Sequence, residues 1–353
     1  MTLLTPEQSR FLAHLRALSI LIIVLGHSGL FWLHNPHTQV LHVFVAVFFF
    51  MSGALGYVSY ARAPSLRDFY RKRLVAMLVP YYLAALIILG VAWLIRPGFA
   101  IDSVDKVVLW LTLVPAGSGQ LFGQVWFLHT LLIIILASPL LFRLTDALPR
   151  TMAYLAIIAL CALWPLFYPQ PEYRYAWGHN WFQPLMHSMF FVLGILFIRY
   201  QGFNRHLVIG GTLGGILFSI ALGIGLGLDP NYGKHTAPNL FYMAGCVGAI
   251  FLLCWTRRFW ITLGDVPGLG QGLVFLNTYT FAFFLLHGIP IDVIDQFGLL
   301  DTLKGEGPWY RLAKMGSVLL VSALLAVPFH RLAERISTPL LQRKRAEPVA
   351  SRP

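Results

Sequence analysis

The sequence predicts an all-α fold, a polytopic membrane bundle of about ten transmembrane helices with both termini in the cytoplasm. Three observations predict this class. First, 58% of the 353 residues are hydrophobic and only 11% are charged, whereas soluble domains carry about 25% charged residues. Second, the apolar residues fall into runs near the length of about 20 that a helix needs to cross the hydrocarbon core. Third, Lys and Arg concentrate in alternate connecting segments.

Ten apolar segments are long enough to be spans. They cover residues 12–33, 39–60, 74–95, 123–142, 151–168, 183–200, 207–228, 240–256, 273–291 and 309–330. A further apolar stretch, residues 107–116, is too short to cross the bilayer and is expected at the interface. Turn-forming residues such as Asn35-Pro36 and Asp229-Pro230 lie between the spans and support these divisions.

The positive charges orient the bundle. With the N-terminus in the cytoplasm, 19 of the 26 Lys and Arg residues fall on the cytoplasmic side and 7 on the outside. This asymmetry accounts for the formal net charge of +12, so we expect membrane lipids and no nucleic acid as partners. We predict one membrane domain, residues 1–340, followed by a basic, disordered cytoplasmic tail, residues 341–353.

Several function classes are not supported by the sequence. Three Cys residues within apolar runs do not make a disulfide scaffold. Walker loops, Gly-x-Ser-x-Gly elements and dinucleotide-binding glycine motifs do not occur. His34, His37 and His42 are close in sequence but lack metal-ligand spacing, and no metal site is predicted.

The first predicted span carries two ionisable residues, Arg16 and His27, at depths where such groups are costly and usually functional. Eleven residues at about 100° each bring the two side chains to one face, about 16 Å apart along the axis. In the predicted orientation Arg16 lies near the cytoplasmic surface and His27 beyond the midplane. Snorkelling of Arg16 to lipid phosphate and a helix–helix hydrogen bond for His27 are the alternatives, and we favour a shared function for the aligned pair.

Two features nearer the cytoplasmic side can accept a ligand. Ser52 and Gly53 allow close approach of a thin ligand, although tight helix packing explains them equally well. A run of cations then follows the second span. It contains Arg62, Arg67, Arg71, Lys72 and Arg73. Such a run suits a polyphosphate through bidentate Arg hydrogen bonds, while contact with anionic lipid is the interpretation that composition alone favours.

Aromatic and imidazole side chains mark the predicted outer side. Trp126 opens the fourth span, where a Trp is usually an interfacial anchor. His287 ends the ninth span, where it could face the same cavity as His27, although a helix-end histidine with no such role is the interpretation that the residues alone favour. The loop between spans five and six is rich in aromatic residues, including Trp177 and Trp181. These indoles suit stacking on sugar rings, and an interfacial aromatic belt is the equal alternative.

Taken in order, these motifs resemble the acyltransferase type 3 family of polytopic membrane acyltransferases. The family's Arg-x10-His motif matches Arg16 and His27, its Phe-Phe-x-x-Ser-Gly element matches the segment ending at Gly53, and its Trp-Phe-Leu element begins at Trp126. The basic element Phe-Tyr-x-x-Arg…Pro-Tyr matches Phe69 through Tyr81, and Phe284 through His287 resembles Tyr-Leu-x-His. Two departures are Phe284 in place of Tyr, and Ala76-Met77 where a further Arg is common.

The resemblance implies transfer of an acyl group, often acetyl, from cytoplasmic acyl-CoA to a hydroxyl on an extracytoplasmic acceptor such as a cell-envelope or exported carbohydrate. It implies a location in the inner membrane of a bacterium, with acetyl-CoA or another acyl-CoA as donor. A transporter or flippase is the alternative, although no inverted repeat is found.

The resemblance also implies roles for the candidate residues. His27, assisted by Arg16, is the expected catalytic group, as general base or transient acyl carrier. Acceptor binding is expected at His287, Trp177 and Trp181. Donor binding is expected at Arg67, Arg71, Lys72, Arg73, Ser52, Gly53 and Trp126.

Overall fold

The computed structural model describes residues 4–35, 37–96, 99, 101–114, 121–149, 152, 175–176, 179–180, 182–231 and 239–342. Twelve α-helices lie in these ranges. They are α1 (Pro6–Ser28), α2 (Val43–Ala61), α3 (Leu66–Ile95), α4 (Val104–Leu111), α5 (Trp126–Ala147), α6 (Phe182–Arg199), α7 (Arg205–Gly225), α8 (Leu240–Trp255), α9 (Arg257–Leu263), α10 (Leu269–Leu286), α11 (Gly288–Phe297) and α12 (Pro308–Gln342).

Shorter elements complete the described chain. Four 3-10 turns cover Leu30–Trp32, His37–His42, Gly123–Val125 and Asp301–Glu306. Tyr175–Ala176 and His179–Asn180 pair as a minimal antiparallel hairpin. The all-α fold class is therefore confirmed.

The helices also confirm a membrane bundle. Among the described residues, seven helices are long and apolar enough to cross a membrane, and an eighth span results if α8 and α9, bent by 64°, form one crossing. Large apolar side chains such as Trp93, Leu94 and Ile224 are more than 70% exposed, as expected for a lipid-facing surface. The predicted count of ten is not established, because span 151–168 lies outside the described residues except for Met152, and span 183–200 is the shorter helix α6.

Several boundaries differ from the prediction for local reasons. Helix α1 ends at Ser28 rather than at residue 33, because Gly29 adopts a φ of 144° that a helix does not accommodate. Helix α3 begins eight residues early, where the Ser65 hydroxyl accepts a hydrogen bond from the Asp68 amide at 3.1 Å. The basic run is therefore helical. Helix α12 continues through Gln342, two residues into the predicted tail, and residues 343–353 lie outside the described part.

The predicted span 273–291 is interrupted. Helix α10 ends at Leu286, helix α11 begins at Gly288, and His287 occupies the junction. A histidine at such a break projects from a helix end rather than from the middle of a regular span.

Helix α1 lies at the centre of the bundle, where it contacts α2, α9, α10 and α12. Its side chains Phe11, Leu15, Ile20 and Val24 are at most 1% exposed. A helix enclosed in this way directs its polar residues toward protein rather than toward lipid.

Small residues allow the closest backbone approaches. A Cβ added at Gly53 of α2 would come within 1.9 Å of the Phe191 carbonyl oxygen of α6, and one added at Gly194 within 1.9 Å of the Phe50 carbonyl oxygen. Helices α2 and α6 therefore pack almost backbone to backbone.

Ion pairs join the helices near both ends of the bundle. Where α1 begins, Arg10 contacts Asp265, just before α10, at 2.5 Å. At the opposite end, the Arg96 guanidinium donates through Nε to Oδ2 of the buried Asp292 of α11 at 2.8 Å, and through Nη2 to Oδ1. These hydrogen bonds raise the pKa of Arg96 above its ordinary value.

Candidate active site

Two imidazole rings meet inside the bundle. His27 lies in the last turn of α1 and His287 at the junction of α10 and α11. The His27 Nδ1 and His287 Nε2 atoms are 2.8 Å apart, and the rings are nearly parallel, 18° between planes. His287 is completely buried, whereas His27 retains exposed surface. The pair is thus a hydrogen-bonded unit with one accessible ring.

The surrounding carbonyl groups fix the direction of this hydrogen bond. Nδ1 of His287 lies 3.0 Å from the carbonyl oxygens of both Phe283 and Phe284. Because carbonyl oxygens only accept, this Nδ1 carries the proton, and Nε2 of the neutral ring is an acceptor. His27 therefore donates from Nδ1 to His287, and the lone pair of His27 remains on Nε2.

The accessible ring of His27 faces a cavity of about 310 Å³. The side chains around it are mostly aromatic or polar. They are His27, Trp32, Gly123, Gln124, Trp126, His287 and Ile291. Gln124 is held against α10, where its Nε2 donates to the Leu285 carbonyl oxygen at 3.3 Å.

A second, narrower cavity of about 130 Å³ adjoins this one. It shares His27, Gln124 and Trp126 with the larger cavity. Its remaining walls are predominantly apolar. They are formed by Ile23, Phe31, His42, Val45, Phe48, Phe127 and Phe284. His27 is therefore accessible from both cavities.

A third cavity, about 390 Å³, lies where α2 ends and α3 begins, at the end of the bundle where α1 starts. Its walls combine three cations with one carboxylate and apolar residues. They are Leu55, Val58, Ser59, Arg62, Ala63, Pro64, Asp68, Phe69, Lys72, Arg73 and Ala76. We refer to this cavity as the basic pocket.

The four predicted donor-binding cations have different environments. Lys72 and Arg73 line the basic pocket, and Nη2 of Arg73 donates to the Leu55 carbonyl oxygen. Arg71 pairs with Asp68 at 3.5 Å. Arg67 is exposed on the first turn of α3. The structure thus brings two of the four cations into one cavity.

Arg16 connects the basic pocket to α1. Its guanidinium is close enough to that of Arg73 for the two charges to repel. Arg16 has no hydrogen bond or carboxylate partner among the described residues. A half-buried, unpaired cation beside a second cation favours a bound anion, because an anion would offset both the repulsion and the loss of hydration.

The remaining predicted residues are distributed as follows. Trp126 lines both cavities at His27. Gly53 packs against the α6 backbone, which favours the helix-packing interpretation over a ligand passage, and Ser52 beside it is half-buried. Trp177 and Trp181 lie outside the described residues.

Trp32 and Gln124 line the cavity at His27 but are not among the site residues that the sequence motifs predict. Trp32 falls within the predicted first span, but the turn at Gly29 directs it to the cavity mouth. The signal that could have identified Gln124 is its polar side chain at the start of an apolar segment, beside Trp126. Among the described residues, no three His, Cys, Asp or Glu side chains cluster as metal ligands.

This architecture is that of a multi-pass membrane protein with an interior histidine site. The chain matches the family model described as an acyltransferase domain over residues 10–327, a segment that includes both histidines, Arg16 and the basic pocket. The protein therefore belongs to the acyltransferase type 3 family and is a membrane O-acyltransferase, which uses an acyl donor and a hydroxyl acceptor. No curated protein and no solved structure matches the chain.

Proposed function

We propose that the protein transfers an acyl group, most simply acetyl, from cytoplasmic acyl-CoA to a hydroxyl of an extracytoplasmic carbohydrate, within the inner membrane of a bacterium. The observation that supports this most directly is the hydrogen bond from His27 to His287. It leaves the Nε2 lone pair of His27 free beside a cavity large enough for an acceptor group.

In the proposed reaction, His27 acts as the general base. Nε2 accepts the proton of the acceptor hydroxyl as its oxygen attacks the thioester carbonyl carbon. A carbon–oxygen bond forms, the carbon–sulfur bond breaks, and the imidazolium returns its proton to the thiolate of coenzyme A. His287 positions the His27 ring and shares the positive charge through the hydrogen bond.

Direct attack by the same lone pair on the thioester is the alternative use of His27, and it gives an acyl-histidine. Rapid denaturing quench near neutral pH of enzyme mixed with radiolabelled acetyl-CoA, with and without acceptor, distinguishes the two. Label retained on a peptide containing His27 supports the covalent route, and its absence during turnover supports general-base catalysis.

The donor is proposed to bind with its phosphates at the basic pocket and its thioester at His27. Arg62, Lys72 and Arg73 supply positive charge there, and Arg16 extends it along α1. The pantetheine chain has about 12 bonds from phosphate to sulfur, equal to about four extended residues, and spans about 14 Å. The axial distance from Arg16 to His27 is about 16 Å, so the chain length suits this separation.

The acceptor is proposed to bind in the cavity of about 310 Å³. Trp32 and Trp126 provide aromatic faces for sugar C–H groups, and Gln124 provides a polar contact. The predicted contribution of Trp177 and Trp181 to acceptor binding remains part of this proposal.

The central test is purified protein with radiolabelled acetyl-CoA and surface glycan as acceptor. His27→Gln should lower kcat by about 10²- to 10⁴-fold, the usual contribution of a general base. His206→Gln, at the exposed start of α7, is the matched control and should retain parent activity. Parent-like turnover by His27→Gln would refute the assignment, and acceptor transport without acyl transfer would support a flippase instead.

The donor site is tested separately by calorimetry with coenzyme A. Changing Lys72 and Arg73, which both line the basic pocket, to Ala should weaken coenzyme A binding at least tenfold while leaving acceptor affinity unchanged, because charge-assisted hydrogen bonds to phosphate contribute about 1.5–3 kcal/mol. Arg67→Ala is the comparison, since Arg67 is exposed outside the pocket lining. Unchanged affinity in the double variant would exclude the basic pocket as donor site.

A further inference from the structure

Helix α10 carries a polar side chain that the described protein does not satisfy. Asn277 is only partly exposed, its Oδ1 is buried, and neither end of its carboxamide makes a hydrogen bond within the described residues. The neighbouring Thr278 and Thr280 instead bond carbonyl groups of their own helix. Leaving a buried amide without a hydrogen bond costs free energy. An amide that served helix packing alone would therefore have a hydrogen-bond partner within the protein.

The two histidines fix the depth of this residue. Helices α1 and α10 run in the same direction, joined by Arg10–Asp265 near their first residues and by His27–His287 at their last. Asn277 precedes His287 by ten residues, about 15 Å, and Arg16 precedes His27 by eleven residues, about 16 Å. Asn277 and Arg16 therefore lie at nearly the same depth on neighbouring helices.

On their own helices, both residues lie on the face that lines the narrower cavity about two turns farther on. Asn277 and Phe284 are seven residues apart, which places them within about 20° on α10, and Phe284 lines that cavity. Arg16 and Ile23 have the same spacing on α1, and Ile23 lines it as well. Ser19, completely buried, has a hydroxyl that also lacks a partner among the described residues.

We propose that Asn277 is a binding residue for an amide of the donor's pantetheine arm, between the basic pocket and His27. A carboxamide pairs with an amide in both directions, since Oδ1 accepts from the amide N–H and Nδ2 donates to its carbonyl oxygen. Ser19 supplies a second contact on the opposite helix. The proposal rests on the proposed function, because it takes acyl-CoA as the donor.

The test compares two ligands that differ only in the arm. Coenzyme A contains pantetheine, and adenosine 3′-phosphate 5′-diphosphate is the same nucleotide without it. Asn277→Leu should weaken coenzyme A binding about tenfold, the loss expected for one or two neutral hydrogen bonds, and should leave nucleotide affinity unchanged. Thr278→Val is the matched control, because Thr278 is exposed and its hydroxyl bonds the Val274 carbonyl oxygen at 2.8 Å.

Each outcome has one meaning. Retained nucleotide binding shows that Asn277→Leu is folded, so a selective loss of coenzyme A affinity supports the proposal. Equal loss for both ligands, or no loss for either, overturns it, as does a parent protein that binds coenzyme A no more tightly than the nucleotide. If the parent protein binds neither ligand, the assignment of acyl-CoA as the donor is itself wrong. This outcome differs from those in which only the role of Asn277 is wrong.

Discussion

Replacing His287 by Phe tests the histidine pair most directly. Phenylalanine retains a planar ring in the buried site but removes the nitrogen that accepts the hydrogen bond from His27 Nδ1, 2.8 Å away. His27 then either leaves a donor unpaired or adopts the tautomer with the proton on Nε2. The unpaired donor raises the free energy of the tautomer that has a free Nε2 lone pair, so the population of that tautomer falls.

The expected reduction in kcat follows from the free-energy cost of leaving a buried hydrogen-bond donor unpaired. That cost is about 1–3 kcal/mol, which corresponds to a kcat reduction of about 5- to 150-fold. KM for acyl-CoA should change little, because the basic pocket lies at the opposite end of the bundle. His287→Gln should restore part of the rate, since its side-chain carbonyl oxygen can accept from His27.

The assay is steady-state acyl transfer by purified variants, with melting temperatures to confirm folding. His330→Phe is the matched control, because this half-buried ring packs against Tyr279 with centroids 5.1 Å apart and lines neither cavity at His27. A His287→Phe enzyme with parent kcat would refute the positioning role. A change confined to KM would instead assign His287 to ligand binding.

Two further predictions concern packing and the outer ion pair. Gly53→Ala should destabilise the fold by about 1–3 kcal/mol through overpacking, whereas Gly90→Ala, with open space at Cβ, should be neutral or stabilising in thermal melts. Arg96→Met should cost about 3 kcal/mol by leaving the Asp292 charge unpaired, and adding Asp292→Asn should recover stability; equal melting temperatures would show that the pair is dispensable.

The helical spacing along α1 is the part of the site that the sequence predicted well. Arg16 and His27 share a face because their separation is near three full turns, and this follows from local geometry alone. The structure adds that α1 is enclosed by other helices, which local periodicity does not reveal.

Other parts depend on tertiary packing and were not predictable. Hydropathy extends the first span through residue 33, whereas Gly29 ends the helix and turns Trp32 into the cavity. Gly53 was compatible with a ligand or a helix neighbour, and only the position of the α6 backbone favours the latter. Nothing in the sequence distance between residues 27 and 287 indicates a direct hydrogen bond.

The placement of both imidazoles at helix C-termini has an electrostatic consequence for the proposed reaction. His27 lies in the last turn of α1, and His287 caps α10 beside the carbonyl groups of its final turn. Helix C-termini carry a partial negative charge that stabilises a nearby cation by about 0.3–1 kcal/mol, and by up to about 2 kcal/mol when partly buried. The positive charge that forms when Nε2 takes up the acceptor proton therefore arises where the α1 dipole favours it, whereas at His287 the C-terminus of α10 and the N-terminus of α11 oppose each other. In the absence of a carboxylate partner among the described residues, the α1 dipole and the hydrogen bond to His287 are the groups that stabilise the imidazolium.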